Sequence, residues 1–139
     1  MEILWRVGVR IRPASREEAE RLISLSAQEQ GCSLCYDPAG SYYACEEKKE
    51  VAGIVCLKKL TFYLGEIKHL YVSPKYRRRG IAIALVKRVI EDTQLPVYMA
   101  TVLVNNKASL EIFRKAGFKE MGPFKSPITG RELYLMLKV

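Results

Sequence analysis

The chain has 139 residues, 49% hydrophobic and 27% charged, with a formal net charge of +8. That length builds one ordinary core without disulfide or metal staples, and the longest apolar runs fall short of the roughly 18 residues of a membrane-crossing helix. The excess positive charge favours an anionic partner without choosing among nucleic acid, a membrane surface and a phosphorylated small molecule. In chain order, "VGVRIRPA" alternates at period two, with Val7, Val9 and Ile11 on one face, and reads as a strand stopped by Pro13. "SREEAERLISLSAQEQG" is a helix with a Ser15/Glu18 capping box, an Ala19/Leu22/Ile23/Ser26 stripe and Gly31 to end it. After the irregular "CSLCYDPAG", the run "SYYACEEKKEVAGIVCLKKL" reads as a hairpin turning at "EEKKE".

"YLGEIKHLYV" is the next strand, with Glu66, Lys68, Leu70 and Val72 on one face and Ile67, His69 and Tyr71 on the other. "GIAIALVKRVIEDT" is a helix, "LPVYMATVLV" a nearly continuous apolar and therefore central strand, and "NKASLEIFRKAG" a helix closed by Gly117. "FKEMG" and "RELYLMLKV" are the last two strands. The order is β-α-β-β-β-α-β-α-β-β, a mixed α/β sheet with a short segment after the first helix, expected to form one domain over residues 1–139. "MEILWRVGVRIRP" lacks the apolar core and cleavage site of a secretory signal, so a cytoplasmic location without a membrane partner is expected.

Cys32 and Cys35 form C-x-x-C, but Cys45 and Cys56 are widely spaced in strands, and the sole histidine, His69, lies elsewhere. Zinc sites need closely spaced pairs, and a redox C-x-x-C follows a strand and opens a helix. The expectation is no metal and four reduced thiols.

"KYRRRGIAIALV", Lys75 to Val86, joins a cationic turn to an apolar helix. A helix N-terminus has unpartnered N–H groups and the positive end of a dipole, which together hold anions. Gly80 lets a phosphate approach the backbone, and Ala82 is the next small residue. The P-loop pattern and the G-x-G-x-x-G pattern are both absent. The pattern present is Arg77-x-x-Gly80-x-Ala82, which resembles the Q/R-x-x-G-x-G/A signature of the GNAT superfamily of acyl-CoA-dependent N-acetyltransferases. "VNNKASLEIFRKAGF", with Asn106, Ser109, Phe113, Lys115, Gly117 and Phe118, is similar to a second segment of that family.

The resemblance implies a GNAT fold binding acetyl-CoA as co-substrate. The backbone from Arg78 through Arg79, Gly80, Ile81, Ala82 and Ile83 would hold the pyrophosphate, assisted by the Arg77, Arg78 or Arg79 side chains. The strand ending near Val72 would splay from the next near Val102. Pantetheine would fill that gap along Leu70, Tyr71 and Val72, its amides pairing with the backbone of Leu70 and Val72, with the thioester carbonyl near the Leu70 N–H. Asn106, Ser109 and Phe113 would line the arm. Transfer to an amine requires a proton acceptor. Glu66, eleven residues before Arg77, stands where the histone-acetyltransferase-like branch has its general base, and the strand alternation puts it on the Leu70 face. His69, on the opposite face by the same alternation, reads as a packed histidine. Phe113 replaces the tyrosine that serves many relatives as acid.

The implied reaction is acetyl transfer by direct attack on the thioester in a ternary complex. The acceptor is a primary amine, of a small molecule or of a protein or peptide N-terminus or lysine, in a monomer or homodimer. No acidic cluster suits a polycationic acceptor. An acyl-CoA-binding sensor without turnover is the alternative that Phe113 keeps open. A basic nucleic-acid-binding module is the other, and it lacks zinc-finger, RNP-like and KH-type patterns.

Overall fold

A computed structural model describes residues 9–139; Val7, expected to share one face of the first strand with Val9 and Ile11, lies outside them. The elements follow the order read from the sequence: β1 (Val9–Pro13), α1 (Arg16–Gln30), β2 (Ser41–Glu47), β3 (Glu50–Lys59), β4 (Leu64–Val72), α2 (Ile81–Thr93), β5 (Val97–Leu103), α3 (Lys107–Lys115), β6 (Lys119–Lys125) and β7 (Glu132–Lys138). A single 3₁₀ turn, Pro74–Tyr76, leads into the cationic run. The seven strands form one sheet in the order β1-β2-β3-β4-β5-β7-β6. All neighbours are antiparallel except β4 and β5.

Local chemistry sets the boundaries. Ser15 Oγ accepts from the Glu18 N–H and Glu18 Oε1 accepts from the Ser15 N–H, closing the expected capping box on α1. Gly31, at φ 67°, ends the helix in the left-handed region. Lys48 and Lys49, at φ 51° and 69°, make the two-residue turn that the β2–β3 hairpin requires. Residues 31–40 form no helix, so the segment between α1 and β2 is short, as expected.

The sheet carries a helical layer on each face. On one, Ala19, Leu22 and Ile23 of α1 pack with Tyr42, Ala44, Ile54, Cys56 and Tyr71. On the other, Ile81, Leu85, Val86 and Val89 of α2 and Leu110 and Phe113 of α3 pack with Val55, Leu57, Ile67, Val72, Ala100, Val102 and Met136.

One irregularity corrects the sequence reading. Ile54 pairs with Tyr71 but Cys56 pairs with Lys68, so β4 holds an extra residue opposite Val55. His69, at φ 55°, is that bulge. Alternation breaks there. Glu66 and Lys68 face α1 with their partners Lys58 and Cys56, and after the bulge Tyr71 does too, opposite Ile54. Ile67, Leu70 and Val72 instead join the α2/α3 core. The expected sharing of one face by Glu66 and Leu70 fails for this reason, as does the grouping of Ile67 with His69 and Tyr71.

Candidate active site

β4 and β5 are paired only at Leu64↔Val97, Gly65↔Tyr98 and Glu66↔Met99. Beyond Glu66 the strands part, and two clefts open where they separate. The larger, about 680 Å³, runs from Leu70, Tyr71 and Val72 past Arg77, Arg78 and Gly80 to Ile81, Ala82 and Ile83, with Asn106, Ser109 and Ile112 across from them. The smaller, about 310 Å³, passes between Ile67–Leu70 of β4 and Thr101–Leu103 of β5. It has Phe113 on the α3 side, and Ser26, Gln30 and Leu34 on the α1 side. Gln30, Leu70, Asn106 and Ser109 line both. The two clefts are therefore adjoining compartments of one passage through the sheet.

The floor of the larger cleft is the start of α2. Gly80, the N-cap, lies at φ 83°, a conformation glycine takes without penalty. The Ala84 N–H is the first to close a helical turn, on the Gly80 carbonyl at 3.0 Å. The Ile81, Ala82 and Ile83 N–H groups precede the ladder, and helix geometry leaves them no partner within α2. Ile81 is buried and fixes that end to the core. Arg78, at φ 64°, gives the loop a second left-handed residue beside the cradle. Across the cleft Asn106 caps α3, its Oδ1 accepting from the Ser109 N–H at 3.2 Å.

The cationic run divides into distinct roles. Lys75 pairs with Glu50 at 3.0 Å and Arg79 with the buried Glu47 at 2.5 Å. Arg77 donates to the Val72 carbonyl and to Glu29, each at 2.8 Å. Glu29 also accepts from the Tyr71 hydroxyl, and Arg77 holds its carboxyl below the usual range. The Val72 carbonyl, expected to be free for a ligand amide, already accepts from Arg77. Arg78 alone of the run has no carboxylate partner among the described residues, and it lines the cleft. Arg79 does not line it.

On the α1 face, Lys58 and Lys68 both pair with Asp37, at 3.2 and 2.7 Å. These contacts and the Ala39 N–H hold the Asp37 carboxyl far below its ordinary range. Glu66, paired across the ladder with Lys58 and two residues before Lys68, is half-buried, and its carboxylate has no hydrogen bond or ion pair among the described residues. It is the last β4 residue paired to β5 and lines neither cleft. The bulge turns His69 into the smaller cleft instead. His69 Nδ1 lies 2.9 Å from the Tyr42 hydroxyl, which accepts from the Asp37 N–H at 2.9 Å. The rings of Tyr42 and His69 stack at 5.9 Å, and Tyr36 stacks on Tyr42 at 4.8 Å. Burial, more than the nearby Lys68 charge, lowers the His69 pKa and favours the uncharged ring.

Phe113 is buried, packs edge-on against Phe118 and lines the smaller cleft, where it offers no proton donor. Glu29, Gln30, Tyr76, Ala108, Glu111 and Lys115 also line the larger cleft, and sequence reasoning assigned none of them to a site. Lys115 had a signal, its place in the second family-like segment. Glu29 had none, because its partner lies 48 residues away.

The Acetyltransferase (GNAT) family model matches residues 5–118. The chain belongs to the GNAT family of acetyltransferases. An uncharacterised N-acetyltransferase of Escherichia coli K12, YedL, is 26% identical over 93 residues, covering 63% of this chain and 58% of that protein. The chain thus spans under two thirds of the length of that relative. Spermidine N-acetyltransferase SpeG of Vibrio cholerae, as an N152L mutant, superposes with a TM-score of 0.77 at 16% identity, over 95% of this chain and 94% of that one. A GNAT family acetyltransferase of Elizabethkingia anophelis with acetyl-CoA bound gives 0.73 at 18% identity, over 96% and 99%. At these identities the two structures support the fold.

Proposed function

We propose that the protein transfers an acetyl group from acetyl-CoA to a primary amine by direct attack on the thioester in a ternary complex. The observation that carries this reading is the passage through the sheet, which joins an anion cradle at α2 to an open groove on the α1 face. The two substrates enter from opposite faces and meet where β4 leaves β5. The amides of Ile81, Ala82 and Ile83 hold the pyrophosphate, with Arg78 beside them as a cation that has no carboxylate partner among the described residues. Pantetheine follows Leu70, Tyr71 and Val72 past Asn106, Ser109 and Phe113. Leu70 has no cross-strand partner on β3, and its N–H supplies the contact to the thioester oxygen as negative charge develops there. The thioester provides the leaving group; the protein's work is to hold carbonyl carbon and amine nitrogen in line and to receive a proton.

The acceptor reaches the passage past the short segment 31–40, which encloses little. That openness suits an N-terminus or lysine of a peptide or protein better than a small metabolite. Among the described residues lining the smaller cleft, Lys68 is the only ionised group and none is a carboxylate, which disfavours a polyamine acceptor.

The test mixes purified protein with acetyl-CoA and a library of peptides, amino acids and amines, following free thiol and identifying products by mass spectrometry. Amine-dependent thiol release with an acetylated product is the expected result. Acetyl-CoA binding without release across the library favours the second reading, a CoA-binding sensor, for which Phe113 at the proton-donor position is the specific support.

A further inference from the structure

We propose that His69, through Nε2, takes the proton from the acceptor amine. This rests on the acetyltransferase reading above and changes its proton acceptor from Glu66, the sequence candidate, to the residue exposed by the β4 bulge. Three observations carry it. His69 lines the smaller cleft where β4 and β5 have parted, and Glu66 does not. The other ionisable group there, Lys68, is committed to Asp37 at 2.7 Å. The ring is oriented by contacts at one nitrogen only: Nδ1 meets the Tyr42 hydroxyl, and Nε2 has no partner among the described residues.

The role requires the Nδ1–H tautomer. The Tyr42 oxygen accepts from the Asp37 N–H and lies 2.9 Å from His69 Nδ1. In that tautomer the oxygen receives the Nδ1–H of His69 through its second lone pair, which leaves the Nε2 lone pair to take a proton. In the reaction the amine nitrogen bonds to the carbonyl carbon and gives its N–H proton to Nε2. The C–S bond breaks and its electron pair leaves on the CoA sulfur. The imidazolium, still held at Nδ1 by Tyr42, passes its proton to the thiolate or to water. A left-handed backbone is strained at a non-glycine residue, and His69 holds it at φ 55°. Here that conformation is what brings the ring to the passage. The charged and titratable groups around it are Tyr42 on β2, Cys56 on β3, Lys68 on β4 and Asp37 on the segment before β2; α1, α3 and β5 present only uncharged side chains to this cleft.

The chain's single histidine makes the test clean. Long-range ¹H–¹⁵N spectra of the imidazole in the intact protein should show the Nδ1–H tautomer and a titration below the ordinary 6.5. With an acceptor from the library, kcat should have an acidic limb at that same pH. His69→Gln should lower kcat about 100-fold or more and abolish the limb, with acetyl-CoA affinity retained by calorimetry. Tyr42→Phe, which keeps the ring, should move limb and titration together. An Nε2–H tautomer at neutral pH overturns the proposal even if no acceptor is found. So does an acidic limb that persists in His69→Gln and vanishes in Glu66→Gln, which returns the role to Glu66. Absence of thiol release from the wild-type protein with every amine sinks the acetyltransferase reading instead.

Discussion

The Arg77 guanidinium donates to the Glu29 carboxylate at 2.8 Å, tying the last turn of α1 to the end of β4 at the lip of the larger cleft. Its neighbour Arg78 has no such anchor and faces the same cleft. The two arginines therefore separate by experiment. Arg78→Ala should weaken acetyl-CoA binding about tenfold, the scale of one charge-assisted hydrogen bond to phosphate, and leave the melting temperature nearly unchanged. Arg77→Ala should lower stability by about 1 kcal/mol, since both partners are partly exposed. Calorimetric titration and denaturant melts of both variants read the two effects.

Gly53 lies on β3 beneath the point where β4 ends and α2 begins. A Cβ there would stand 2.9 Å from the Tyr71 carbonyl oxygen, 3.1 Å from Val72 Cγ2 and 3.4 Å from Ile81 Cγ2. Tyr71, Val72 and Ile81 all line the cleft, and the first contact is with backbone that cannot rotate away. Gly53→Ala should thus cost about 1–3 kcal/mol and displace the strand end from the cradle. A joint loss of stability and acetyl-CoA affinity is the expected result, whereas retained affinity in a destabilised protein would show that the cradle moves independently of β4.

These relationships differ in how far the sequence exposes them. The cradle is legible because everything that makes it is local: a glycine that tolerates φ 83°, an apolar run behind it and a strand before it. The capping box and the Lys48–Lys49 turn are legible for the same reason. The arginine roles are not, because Glu29 and Glu47 lie 48 and 32 residues from Arg77 and Arg79. The bulge leaves no pattern at all. One residue at positive φ shifts the alternation of β4, so Glu66 and Leu70 fall on opposite faces and His69 enters the passage, although the residue types are unchanged. Histidine tolerates the left-handed region better than β-branched residues do, a signal too weak to read alone.

The four cysteines divide by burial. Cys45 and Cys56 are fully buried in β2 and β3, and burial pushes each thiol up to about 11. Cys35 is exposed and Cys32 half-buried, both on the segment after α1. A thiol-reactive dye should modify two cysteines quickly in the native protein and the other two only on unfolding. Peptide mapping should assign the fast pair to Cys32 and Cys35. Prompt labelling of Cys56 would mean that the β2–β3 face beneath Tyr42 opens, and with it the support of His69.

Acid should destabilise the N-terminal half through Glu18. Arg12 bonds Glu18 at 2.8 Å and Glu46 at 2.9 Å, linking β1, α1 and β2. The hydrogen bond from Arg12 is the main cause that draws the Glu18 carboxyl from 4.5 down to about 2. A carboxyl lowered in the folded state stabilises fully above its unfolded value and loses that contribution as pH falls through the folded one. The window is therefore pH 4.5 to 2. The pair is about a quarter exposed, so solvent screening reduces the contribution to about 1–2 kcal/mol. Glu18→Gln isolates the charge, because glutamine at this position still accepts from the Ser15 N–H and preserves the capping box. The variant should be less stable than the wild type at pH 7 and converge with it near pH 2 in melts followed by circular dichroism. Parallel curves across the whole window would mean that the Arg12–Glu18 pair is as strong in the unfolded chain as in the folded one, and that α1 is anchored by its apolar face alone.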